Sequence, residues 1–246
     1  ATSTKPSSER AFGLIYQWGR KDPFMGGRSI INEYSIYQKQ AAFAGGGFAL
    51  VNSDEKIGTY AYATAYPYRI ILGNSFNNDW FYTGDSSTDN TRWQTTDKPK
   101  GWQDPCPPGW RVPDGGPNGV WAKAFGSDVH GTWDDSGQGY NFSGILSAAS
   151  MVWYPSSGYR IGFGDGDLRD VGKYGLIWSC TPYEINDAYF IEYNGAFISP
   201  ECTGGNTRAT CKAVRCIKQR PPTPVDGTNT GGYNVNPSDL IEDDWK

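Results

Sequence analysis

Apolar residues in this chain come in short bursts that alternate or cluster, then break at Gly, Asn, Pro or Asp. Such bursts specify strands joined by turns rather than long helices. The pattern predicts strands over residues 13–18, 48–52, 57–65, 68–72, 140–145, 151–153, 158–161, 175–179, 188–193, 196–198 and 213–218. Two segments read as short helices: 35–44, where Ile36, Gln40 and Phe43 fall near one face, and 119–125. Residues 74–97 form an irregular polar loop carrying Trp80, Phe81, Tyr82 and Trp93. The expected class is α+β and β-dominated. Residues 1–10 are polar and expected to be flexible. From Pro221 the composition shifts to Pro, Thr, Gly and Asn, so 221–246 reads as a linker with an acidic, strand-like tail.

Composition sharpens this picture. Hydrophobic residues make up only 37% of the 246 positions, yet aromatics reach 15%, with 10 Trp and 16 Tyr. A core built from this chain uses rings in place of Leu and Met. Rings left outside offer binding surface at small entropic cost. The net charge of −4 is spread along the chain, with no basic cluster to neutralise phosphates, so nucleic acid is not an expected partner. No apolar run approaches the ~18 residues that span a bilayer. The stretch Ala1-Thr2-Ser3-Thr4-Lys5-Pro6 lacks a charged-then-apolar signal pattern, so the chain reads as a mature or excised product.

Catalytic patterns are sparse. A Ser-His-Asp triad would rest wholly on His130, which sits in a loop-like Asp-Val-His-Gly context. Asp134 and Asp135 are adjacent, and adjacent strand positions point to opposite faces, which argues against paired-carboxylate chemistry. No hydrolase or transferase activity is expected, and the chain reads as a non-enzyme. The run 165–170 gathers Asp165, Asp167 and Asp170, oxygen donors of the kind Ca²⁺ prefers. It lacks the later glycine and closing glutamate of an EF-hand, with Leu176 where that glutamate would fall. A plain acidic turn is the simpler expectation, and no cofactor is expected. The best binding signal is aromatic. Trp80, Tyr82 and Trp93, with Asn78 and Asp79, combine ring faces for sugar CH groups with hydrogen-bonding partners. Trp121, Trp133 and Tyr140 are further candidates.

One distributed set of motifs adds a family resemblance. The set begins with Leu14-Ile15-Tyr16-Gln17-Trp18-Gly19-Arg20 and Asp104-Pro105-Cys106-Pro107-Pro108-Gly109-Trp110-Arg111-Val112-Pro113. It continues through Gly158-Tyr159-Arg160, Leu168, Val171-Gly172 and Trp178-Ser179-Cys180-Thr181-Pro182, to Asn206-Thr207-Arg208-Ala209 and Ala213-Val214-Arg215-Cys216. In this order the set resembles the "Fibrobacter succinogenes major paralogous" domain family of surface and fimbrial-tip proteins in gut Bacteroidetes, over residues 11–220. The resemblance implies a C-type-lectin-like fold: two short helices, small antiparallel sheets, long loops, and pairing of the first and last strands, here 13–18 with 214–218. It places Trp18, Trp110 and Trp178 in the core. It also implies a non-catalytic adhesion module at the outer cell surface, such as the terminal domain of a fimbrial tip subunit. The expected partner is a glycan or protein on a host or bacterial surface. An oxidase of the formylglycine-generating type, another carbohydrate-active enzyme, and a structural spacer are the alternatives.

The five cysteines fit no zinc pattern and read as disulfides of an oxidising compartment. Cys106 lies in a Pro-flanked extended run and Cys216 in the last core strand, so these two are expected to be bridged. Cys202 and Cys211 flank Thr203-Gly204-Gly205-Asn206, a natural hairpin, and are expected to form a second, local bridge. Cys180 is then a free thiol. The apolar residues of the tail, Tyr233, Val235, Leu240, Ile241 and Trp245, suit an edge strand added to a sheet of the same domain or of another fimbrial subunit.

Overall fold

The computed structural model describes residues 12–26, 49–125, 131–143, 151–203 and 207–219. The expected helix over 35–44, His130 and the tail at 221–246 lie outside them. In chain order, β1 (Leu14–Gln17) and β2 (Phe24–Met25) are followed by β3 (Ala49–Asn52), helix α1 (Tyr60–Ala65) and β4 (Arg69–Leu72). A long irregular stretch leads to β5 (Trp110–Arg111) and helix α2 (Val120–Phe125). Then come β6 (Gly131–Asp134), β7 (Gly139–Ser143), β8 (Met151–Pro155), β9 (Tyr159–Arg160) and β10 (Leu168–Arg169). A long hairpin of β11 (Gly175–Tyr183) and β12 (Asp187–Tyr193) precedes β13 (Ile198–Cys202), β14 (Cys211–Val214) and β15 (Ile217–Lys218). The class is β-dominated α+β, with two short helices among the described residues.

The main sheet has eight strands, with the path β10-β9-β14-β11-β12-β13, and with β1 and then β2 joined through β14. β1 runs antiparallel to β14, Ile15 opposite Ala213 and Gln17 opposite Cys211, so the two ends of the domain meet in one sheet. The expected single strand over 213–218 is two strands. Its second half, β15, leaves the sheet to pair with β5, Ile217 opposite Arg111. Smaller sheets are formed by parallel β3 and β4 and by the meander β6-β7-β8.

Residues 57–65 are not a strand. The Tyr-Ala alternation mimics a period of two, but local chemistry decides otherwise. Thr59 caps α1, its side chain accepting from the Tyr62 N–H. Pro67 then disfavours helical geometry at Tyr66, where the helix ends. The buried guanidinium of Arg20 finishes that end by donating to the carbonyls of Ala63, Tyr66, Pro67 and Arg69.

The core is built largely from rings. Residues 175–180 of β11 are buried on both faces. On one side Leu176, Trp178 and Cys180 pack with Phe190, Trp18, Trp93, Cys106 and Val112. On the other, Ile177 joins Ile191, Tyr193, Trp121, Phe142 and Tyr154, beneath α2 and the meander. Trp18 and Trp178 are fully buried and Trp110 packs against their cluster.

Candidate ligand-binding surface

The loop between β4 and β5 is held from inside by charge. Asp79 is fully buried and accepts both terminal nitrogens of Arg92, also fully buried. It also accepts from the Phe81 N–H at 3.1 Å and the Thr88 hydroxyl at 3.0 Å. Arg208 stands 3.9 Å from the same carboxylate and spreads over the Trp18 ring, its centroid 4.4 Å away. Burial lowers the Arg208 pKa to about 10 against the pull of Asp79, so the cation persists at neutral pH. Gly19, with φ of 74°, makes room for this cluster: a Cβ there would stand 2.6 Å from the Cβ of Arg92.

This network corrects the expected binding site. Trp80 and Trp93 are wholly buried, their indole N–H groups donating to the carbonyls of Trp18 and Gln103. With Asp79 they fill the space behind the loop, and none of the three presents a face to solvent. The polar residues that made the loop look solvated, Asn74, Asn77, Asp79 and Arg92, are themselves buried and bonded to it. Trp121 is likewise buried under the meander. Asn78 is exposed in the left-handed region, and Tyr82 is half-buried beside exposed Phe76, 5.8 Å between centroids.

One outward-facing ring stands on a different group, the half-buried Tyr60 and Phe81. Trp102 is 61% exposed and meets Tyr60 edge-on at 4.7 Å. Tyr60, at the start of α1, lies against Phe81 at 4.5 Å. Its hydroxyl donates to Asp89, which also accepts from the N–H and hydroxyl of Thr91. Burial, then the bond to Asp89, pushes the Tyr60 pKa up, so the phenol keeps its proton. For Asp89, burial pulls upward but the Thr91 and Tyr60 bonds win and lower it, so the carboxylate is charged. The result is an aromatic ledge with a fixed carboxylate beside it: an exposed Trp102 ring for apolar CH groups, braced by half-buried Tyr60 and Phe81, and acceptors at one end. Sequence reasoning missed Trp102. Its signal was a lone Trp in the polar run Lys98-Pro99-Lys100-Gly101-Trp102-Gln103.

The acidic turn does not assemble as a three-carboxylate site. Asp165 and Asp167 bond to each other, and burial followed by that contact raises the Asp167 pKa. Asp170 lies past β10 and bonds to Tyr159. Among the described residues no group of three His, Cys, Asp or Glu side chains converges as for a metal.

The cysteines divide differently from expectation. Cys106 and Cys216 are bridged, but Cys202 and Cys211 are free, as is Cys180. β13 and β14 are not paired with each other. β13 and β14 are separated by β12 and β11, three strand spacings or roughly 14 Å, about twice what a disulfide spans. Cys211 packs with Ile15, Phe24 and Ile70, whereas Cys202 packs with the Trp178 cluster. Burial pushes the thiols of Cys202 and Cys211 up to about 12, and that of Cys180 well up, so all three are neutral near pH 7. Two of the five cysteines are bridged, leaving three thiols. Near pH 7 the native protein is expected to react only slowly with an aromatic disulfide reagent, and to yield three thiols after denaturation. A single thiol after denaturation would restore the Cys202–Cys211 bridge.

Comparison of the chain with family models, curated proteins and solved structures finds no match.

Proposed function

We propose that this protein is a non-catalytic adhesion module of the outer cell surface. It binds a glycan or protein ligand through the ledge of Trp102, Tyr60 and Phe81 with Asp89. The observation that carries the proposal is Trp102: 61% exposed, yet braced by Tyr60. A large ring kept in water at a fixed angle is poor economy for stability and well suited to recognition. The fold proposed is C-type-lectin-like, supported by the meeting of first and last core strands and by two short helices on a β-rich frame. The Cys106–Cys216 bridge supports an oxidising compartment, and neutral buried thiols are compatible with it. Placement at a fimbrial tip rests on the motif resemblance.

The test is a glycan and matrix-protein array read with two variants. Trp102→Ala is expected to reduce capture at least tenfold with stability changed by no more than about 0.5 kcal/mol, as for an exposed side chain. Trp80→Ala is expected to destabilise by about 3–5 kcal/mol, because it empties a packed site. If the wild type captures nothing, the spacer alternative stands. If Trp102→Ala binds as the wild type does, the ledge is not the site.

A further inference from the structure

The turn that ends α1 carries a cation without a counter-charge. Arg69 opens β4, and its N–H bonds to the Tyr66 carbonyl at 3.0 Å. That turn sets the side chain against the end of the helix. The guanidinium carbon lies 4.6 Å from the centroid of the Tyr66 ring and 5.8 Å from that of Tyr62. Nη1 donates to the Tyr62 hydroxyl at 2.6 Å, and the Tyr68 hydroxyl bonds to the same group. Nε is covered and has no partner. Among the described residues no carboxylate lies within 4.0 Å of this guanidinium. Scarcity of acids does not explain the absence, because the chain has 26 acidic residues against 22 Lys and Arg. Asp22 pairs with Arg20 instead, 3.7 Å from its Nε.

The cluster is also held in place. Tyr62 and Tyr66 stand four positions apart on α1, so their rings share a face and meet at 4.6 Å between centroids. From beneath, Arg20 holds the carbonyls of Ala63, Tyr66, Pro67 and Arg69, which fixes the backbone of the turn. The carbonyl end of a helix repels anions, and this second cation offsets that repulsion. Tyr66 and Tyr68 remain 37% and 40% exposed. A guanidinium already ordered on tyrosine rings loses little freedom when it pairs. Its planar fork matches a carboxylate, and one exposed cation suits a ligand with one negative charge. Tyrosine faces accept sugar CH groups, and their hydroxyls exchange hydrogen bonds with sugar hydroxyls.

We propose that Arg69, with Tyr62, Tyr66 and Tyr68, forms a second binding site, which takes the carboxylate of an acidic sugar. Terminal sialic acid and a uronic acid within a polysaccharide share this chemistry. The site stands at the opposite end of α1 from Tyr60 and is independent of the ledge.

Titration of the full chain with simple glycosides, followed by ligand-observed magnetic resonance, tests it. The probes are a methyl sialoside, a methyl glucuronide and the methyl ester of each. The wild type is expected to bind at least one free acid and to lose it on esterification, with affinity falling as salt rises. Which acid binds distinguishes the two sources. Arg69→Gln is expected to weaken binding by about tenfold or more, and Tyr68→Phe, which removes one hydroxyl, to weaken it less. No binding of either acid by the wild type overturns the proposal. So does equal binding of acid and ester, a reading that needs no variant to fold. Loss of binding in Trp102→Ala with retention in Arg69→Gln would place the sugar on the ledge and overturn it as well.

Discussion

Asp79→Asn is expected to destabilise the protein by about 3–5 kcal/mol, the cost of stranding a buried charge partner. In a chain of this size that is a fall in melting temperature of roughly 6–20 °C. The substitution keeps shape and removes charge. In the native protein the carboxylate takes both terminal nitrogens of Arg92, one amide N–H and one hydroxyl, with Arg208 standing at 3.9 Å. An asparagine would remove the carboxylate bonded to Arg92 and nearest Arg208, two buried guanidinium groups over the Trp18 ring, and point its own amide hydrogens at Arg92. Salt should not rescue the loss, because buried pairs are little screened. Asp85→Asn on the same loop is the control. Asp85 is exposed, and its substitution is expected to leave the melting temperature nearly unchanged. Equal melting of the two variants would mean that the loop is not held by its buried charges.

That cluster also shows where sequence reading ends. Periodicity located β3, β4, β11, β12 and α2, because their apolar spacing reflects burial directly. It failed at α1, where a Tyr-Ala alternation hid a helix announced by Thr59 and Pro67 rather than by hydrophobicity. It failed again in the loop between β4 and β5. Trp80 and Trp93 are core rings flanked by polar residues, and those polar residues are buried because they satisfy one another across long separations. Arg208 reaches Thr88 across 120 positions, and no local pattern encodes such a contact. Two motif arginines were legible as motif members but not as what they are, clamps on backbone carbonyls. Arg20 closes α1, and Arg111 holds the carbonyls of Gln94, Thr95 and Lys98. The Cys202–Cys211 expectation failed for a related reason. Glycine-rich spacing permits a hairpin, but here β11 and β12 stand between β13 and β14 in the sheet.

Removing the Cys106–Cys216 bridge, through paired Cys106→Ala and Cys216→Ala substitutions, is expected to destabilise by about 2–5 kcal/mol. The bridge closes a loop with a sequence separation of 110, for which the chain-entropy model gives roughly 4.7 kcal/mol. Its packing adds to that. Cys106 lies in the main core with Trp18, Trp93 and Val112, and Cys216 packs against the same cluster. Its location decides what loosens first. Next to Cys216, β15 pairs with β5 through only Ile217 with Arg111 and Lys218 with Trp110, with one further bond from Gln219 N–H to the Gly109 carbonyl. A two-residue strand pair is too short to stand alone in water. Without the bridge, amides of 217–219 should exchange hydrogen much faster, while those of β11 and β12 keep most of their protection. The Asp104 carboxylate, which accepts the N–H groups of Cys106 and Val112, should hold the other half of the site in place. A melting temperature within about 2 °C of the wild type, less than the shift expected for 1 kcal/mol, would show that packing rather than the crosslink secures the last strand.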